Sequence, residues 1–270
     1  MTVTGSTLIN TTSTGLPGDT DDRPFSFAIG TQIFLNPVDD PTDAVASFKF
    51  DPDLISSTSA AGFSTVAIGL ATDAELDSLA TWGSGYIGTA NADAFPVGFC
   101  RLSSATSQAG VNAQGAQVST LGRTSDAESV SLALNTFTIT GHPFATGDRV
   151  LVSSTGTIPG GLSSTIPYFV IVDSANTIKF AVTAQGAQAG TEVDIQTIGS
   201  GTIQVANDEI FTLTRTGSTG SVTLKKGDST IFTFTNTNST SPLRLFYWCR
   251  EQSVSSSLPI FSAIKVRGAL

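Results

Sequence analysis

Residues 141–183 constrain the fold of this chain more than any other stretch. They read GHPFATGDRVLVSSTGTIPGGLSSTIPYFVIVDSANTIKFAVT. Gly147-Asp148 is turn chemistry and leads into the apolar run Val150-Leu151-Val152. Pro159-Gly160-Gly161-Leu162 reads as a loop, because proline fixes φ and glycine supplies backbone conformations that other residues avoid. Tyr168-Phe169-Val170-Ile171-Val172 and Ile178-Lys179-Phe180-Ala181-Val182 are β-branched and aromatic, and they flank a short polar connector at 173–177. Composition, turn residues and length together predict a β-hairpin.

The same pattern recurs from end to end. Strand candidates are 25–29 with 32–35, 44–50, 65–70, 86–87, 95–102, 129–139, 202–205, 209–213, 221–224, 231–234, 243–249 and 260–266. Turn residues separate them about every ten positions, the spacing of a sandwich or barrel rather than of alternating helices and strands. In 44–50, Ala46, Phe48 and Phe50 share one face. The single helical segment expected is 71–80, with Thr72 as cap and Glu75 three residues on to complete a capping box. Residues 103–128 are mostly Ser, Ala, Gln and Gly, and read as loop or linker.

Strand sets at 25–136 and 206–270 bracket the unit 137–205, and residues 1–24, rich in Thr and Ser, read as an N-terminal arm or an extended edge strand. The expected fold is all-β: a jelly-roll or lectin-like β-sandwich built from both ends of the chain, with a small β-barrel domain inserted in an exposed connection. Hydrophobic residues make up 40% of the 270, enough for a core, while only 13% are charged. A net charge of −9 argues against nucleic-acid partners and against docking on anionic lipid. The N-terminus has no basic and apolar signal pattern, and no apolar run nears the ~20 residues of a membrane span, so the chain is expected to be made in the cytoplasm and to stay soluble.

Groups that carry chemistry are sparse. His142 is the only histidine, and its place in Gly-His-Pro-Phe is a turn, which points to a structural role. Cys100 and Cys249 are too few for a disulfide framework; two free thiols are expected, with one bridge left open if their strands are neighbours. No zinc spacing, nucleophile elbow or phosphate loop is present, and neither an enzyme nor a cofactor is expected. Loop carboxylates at Asp19, Asp21, Asp22, Asp39, Asp40, Asp43, Asp51 and Asp53 match no calcium loop and read as solvated acids. The best binding candidate is the run 244–250. Alternation puts Arg244, Phe246, Trp248 and Arg250 on one face, an aromatic platform with arginine ends that could stack on a sugar or a partner chain. The competing reading places Phe246 and Trp248 under the inserted domain or in a subunit contact. Trp82 and Tyr86, in Trp-Gly-Ser-Gly-Tyr, form a second candidate loop.

The string Gly141-His142-Pro143-Phe144, Gly147-Asp148-Arg149-Val150, Pro159-Gly160-Gly161-Leu162, Pro167-Tyr168-Phe169-Val170-Ile171, Asn176-Thr177-Ile178-Lys179-Phe180-Ala181 and Ala189-Gly190-Thr191 resembles a module of tailed-bacteriophage structural proteins. That module, found in tail and fibre components, is similar in fold to the small β-barrel domain of ubiquitin-activating enzymes. Residues 209–215 and 222–234 more weakly resemble concanavalin-like lectin sandwiches. The resemblance implies a virion surface protein, a tail fibre or tail-associated adhesin whose partners are other virion proteins, further copies in a homo-trimer, and host-surface polysaccharide. A capsid decoration protein and a glycan-cleaving enzyme are the alternatives.

Overall fold

In the computed structural model, the alternation of the sequence becomes three antiparallel sheets. The structure describes residues 2–4, 7–9, 25–34, 43–54, 66–77, 94–101, 108–217, 219–235, 242–250 and 261–267. In chain order the strands begin with β1 (Thr2–Thr4), β2 (Thr7–Ile9), β3 (Phe25–Phe34), β4 (Ala44–Phe50), β5 (Val66–Ala71), β6 (Ala94–Arg101), β7 (Gln108–Ala113) and β8 (Ala116–Gly122). Next come β9 (Ser125–Ala127), β10 (Ser129–Ser131), β11 (Thr136–Thr138), β12 (Arg149–Ser154), β13 (Tyr168–Ser174), β14 (Thr177–Ala181) and β15 (Ile203–Asn207). The chain closes with β16 (Ile210–Arg215), β17 (Val222–Lys226), β18 (Ser229–Thr233), β19 (Leu243–Arg250) and β20 (Phe261–Arg267). Two compact units result: residues Met1–Thr120 with Ile210–Leu270, and residues Leu121–Glu209.

The first unit is a β-sandwich. One sheet has the order β1-β2-β20-β4-β16-β17-β18, the other β3-β19-β5-β6-β7-β8. In β4 burial alternates strictly, with Ala44, Ala46, Phe48 and Phe50 inside, as the period of two requires. Phenylalanines fill the space between the sheets. The Phe99 ring of β6 stacks on Phe50 at 4.2 Å and meets Phe48, Phe211 and Phe261 edge-on at 6.1, 5.4 and 5.4 Å. Such mixed stacked and edge contacts suit the ring quadrupoles and add to the burial of apolar area.

Two expectations for this unit change. The segment 103–128 is not a linker: β7 and β8 form a hairpin through Gln114-Gly115, both at positive φ. Ala109, Val111 and Ala113 on one face and Gly110 and Asn112 on the other are all buried, so small residues here mark a strand packed closely on both faces rather than a loop. The helix starts later than 71: Ala71 ends β5, and α1 is described over Asp73–Asp77, with the Glu75 amide donating to Thr72 Oγ1 at 3.2 Å, while residues 78–80 lie outside the described residues.

The second unit has one sheet, ordered β10-β11-β14-β13-β12-β15-β9, around a core of Phe137, Ile139, Phe144, Val150, Val152, Tyr168, Val170, Ile178, Phe180, Ile195, Ile203 and Val205. It begins before the expected 137, because Ser125–Ala127 pairs with β15 and Ser129–Ser131 with β11. The expected closed barrel is not formed. β9 and β10 stand at the two ends of the sheet, and no ladder joins them among the described residues. The expected strand 129–139 is a hairpin, β10 and β11, turning at Leu132–Asn135 with Asn135 at φ 53°. A second helix, α2 (Ala184–Ala189), was not expected. Thr183 caps its start, accepting from the Gly186 amide at 2.9 Å, and Gly190 at φ 72° ends it.

Candidate functional site

β19 lies between β3 and β5 in its sheet, so Arg244, Phe246 and Trp248 of the expected aromatic platform each have a strand partner on both sides, and Arg250 has one on β3. Leu243 and Tyr247 are buried, and the Tyr247 ring meets Phe261 of the opposite sheet edge-on at 5.5 Å, which fixes the inward face. Arg244 and Phe246 belong to the other face, as alternation predicts. That face is closed at Phe246, which is only 1% exposed. Its register partner on β5 is Gly69, and a Cβ built there would stand 2.9 Å from Phe246 Cε1. The ring occupies the space that glycine leaves, so Phe246 is a packing residue and not a stacking surface. Arg244 is half-buried, and its Nε donates to Asp73 Oδ1 at 2.6 Å, tying β19 to the start of α1. Trp82 and Tyr86, and the side chains of Trp248 and Arg250, lie outside the described residues.

The cysteines are separated by register. Cys249 pairs with Val66, Val66 pairs with Phe99 on its other side, and Cys100 follows Phe99. Two strand spacings, about 10 Å, lie between their backbones, beyond the reach of a disulfide at about 7 Å. The open question of a bridge is thereby answered: these two residues cannot join within one chain.

In the second unit the motif residues hold the fold. The Gly141 amide donates to Asn176 Oδ1 at 2.9 Å, with Gly141 at φ 63°. His142 Nε2 lies 2.8 Å from the Ser174 carbonyl oxygen, so Nε2 carries the proton, and the ring stacks near Phe144 with centroids 6.3 Å apart. Asp148 is buried; its Oδ2 accepts from the Ala145 amide at 2.9 Å and its own amide donates to the Ala145 carbonyl at 3.1 Å, closing the turn before β12. Arg149 pairs with Asp208 at 2.9 Å, and its amide donates to Glu209 Oε1 at 2.7 Å, clamping the point where the chain leaves the unit.

One polar constellation gave no sequence signal, because its members come from three separate segments. Asn135 Nδ2 donates to Glu192 Oε1 at 2.9 Å, and Lys179 Nζ lies 2.6 Å from Glu192 Oε2. The Ile195 amide donates to Asn135 Oδ1 at 2.9 Å. The Lys179 hydrogen bond, with help from Asn135, holds the Glu192 carboxyl below the usual range. The same bond to Glu192 raises Lys179.

Among the described residues no group of three or more His, Cys, Asp or Glu could hold a metal ion. Asp51 Oδ1 accepts from the Asp53 amide at 3.0 Å, and Asp43 Oδ1 accepts from the Gly217 amide at 3.0 Å, so these acids shape turns. Asp19, Asp21, Asp22, Asp39 and Asp40 lie outside the described residues. No protein-family model, curated protein or solved structure matches the chain.

Proposed function

We propose that this chain is a structural subunit of a tailed-bacteriophage virion, exposed on the particle surface and acting without catalysis. The observation that carries this reading is the use of the second unit's polar groups. His142, Asp148, Arg149, Asp208 and Glu209 are the groups that chemistry would need, and each is engaged in holding a turn or a chain crossing. A unit whose conspicuous polar residues serve its own rigidity is suited to be a building block. A tail fibre or tail-associated adhesin, assembled as a homo-trimer, is the first reading. Host-polysaccharide binding then does not run through Phe246. Trp82 and Tyr86 are the residues to test, by Trp82→Ala and Tyr86→Ala.

Labelled antibody on intact particles tests the assignment. Decoration of the tail tip or fibres supports the adhesin. Label over the head, with purified protein pelleting on tailless heads, favours capsid decoration instead. Shortening of a host polysaccharide by the purified protein would overturn both.

A further inference from the structure

Asn135, Lys179 and Glu192 are arranged for more than an ion pair. One carboxylate touches two nitrogens of opposite chemical character: the amide nitrogen of Asn135 at 2.9 Å from Oε1 and the amine of Lys179 at 2.6 Å from Oε2. The third element is the part-buried Ile195 amide, which donates to Asn135 Oδ1 at 2.9 Å. A backbone N–H aimed at a carbonyl oxygen is what stabilises the negative charge that builds there when a nucleophile adds to the carbon. The backbone brings the pair together. β11 and β14 pair antiparallel with Phe137 opposite Ile178. Continuing that register sets Thr136 across from Lys179, and Asn135 is the next residue. Asn135 itself is held at φ 53°, a left-handed conformation kept in place by its side-chain bonds to the segment that carries Glu192 and Ile195.

We propose that Lys179 and Asn135 condense into an intramolecular isopeptide bond, with Glu192 carrying the protons. Glu192 takes a proton from the Lys179 ammonium, and the freed Nζ adds to Asn135 Cγ, forming the new C–N bond. The oxyanion on Oδ1 is held by the Ile195 N–H. Protons pass through Glu192 from Nζ to Nδ2, the Cγ–Nδ2 bond breaks, and the nitrogen leaves. Ammonium and amide in, ammonium and substituted amide out: the step balances with no oxidant or co-reactant, and the chain loses one ammonia and one positive charge. The bond would staple the turn before β11 to β14. Because Glu192, and after it Asp173 at 3.8 Å from Nζ, favour the protonated amine, the reaction is slow at neutral pH and faster in mild alkali.

The full-length protein is incubated at neutral and mildly alkaline pH, and its intact mass is followed. The expected result is a mass lower by one ammonia and, after digestion, a branched peptide joining the segments that contain Asn135 and Lys179. Lys179→Arg and Glu192→Gln, both conservative on a partly exposed surface, should retain the full mass. A wild-type mass that stays at the sequence value overturns the proposal. So does an ammonia loss that persists in Lys179→Arg, since Lys179 is then not the nucleophile. A branched peptide in Glu192→Gln overturns the role given to Glu192. None of these outcomes depends on where the protein sits in a particle.

Discussion

Gly69 stands in a strand where a side chain has no room. A Cβ there would lie 2.6 Å from the Phe95 carbonyl oxygen and 2.8 Å from Pro96 Cα, both backbone atoms that move only with β6. Gly69→Val is therefore expected to destabilise the sandwich by about 2–4 kcal/mol, read as a lower urea midpoint with the slope unchanged. Glu192 allows a second prediction for the chain before any cross-link forms. Its folded pKa lies below the ordinary 4.5, so its contribution is present above that value and fades as pH falls through the lowered one. Lys179 is shifted the other way; its contribution is present below 10.5 and fades as pH rises through the raised value. Their side chains are 32% and 20% exposed, so water screens the pair and its worth is at most about 1 kcal/mol. Glu192→Gln should lower the melting temperature slightly at neutral pH and flatten its fall in acid, as followed by thermal unfolding across pH.

At the scale of elements, short pieces in the second unit depend on single side chains. The six residues of α2 include Gly186, which weakens a helix, and the cap at Thr183 compensates. Thr183→Ala leaves the Gly186 amide without its acceptor and should cost about 1 kcal/mol. Amide hydrogen exchange should quicken in 184–190 first, with the core strands β13 and β14 following only at the level of the global loss. The turn closed by Asp148 and the bends at Gly141 and Gly190 follow the same logic of a local partner replacing a missing ladder bond.

At the scale of the molecule, the segment 121–209 has its own core and enters and leaves at neighbouring points: β9 pairs with β15, and the Arg149 amide holds Glu209. Expressed alone, it is expected to unfold in one cooperative transition and to show the dispersed amide spectrum of a folded β-protein. A collapsed or unfolded product would mean that the core of Phe137, Val150, Val170 and Phe180 is insufficient without the sandwich.

The amino-acid sequence by itself determined the class of fold, the hairpin from Tyr168 to Ala181, the alternation in β4 and the two faces of β19. These follow from a period of two and from turn residues, both of which are local signals. It misled at 103–128, because Ala and Gly look like loop residues until a neighbouring sheet is present to bury them. Only the tertiary structure decided that Phe246 is enclosed, that Cys100 and Cys249 stand two strands apart, and that Asn135, Lys179 and Glu192 meet. Each depends on which strands become neighbours. That choice is made by burial summed over the whole chain, and no short window of sequence contains it.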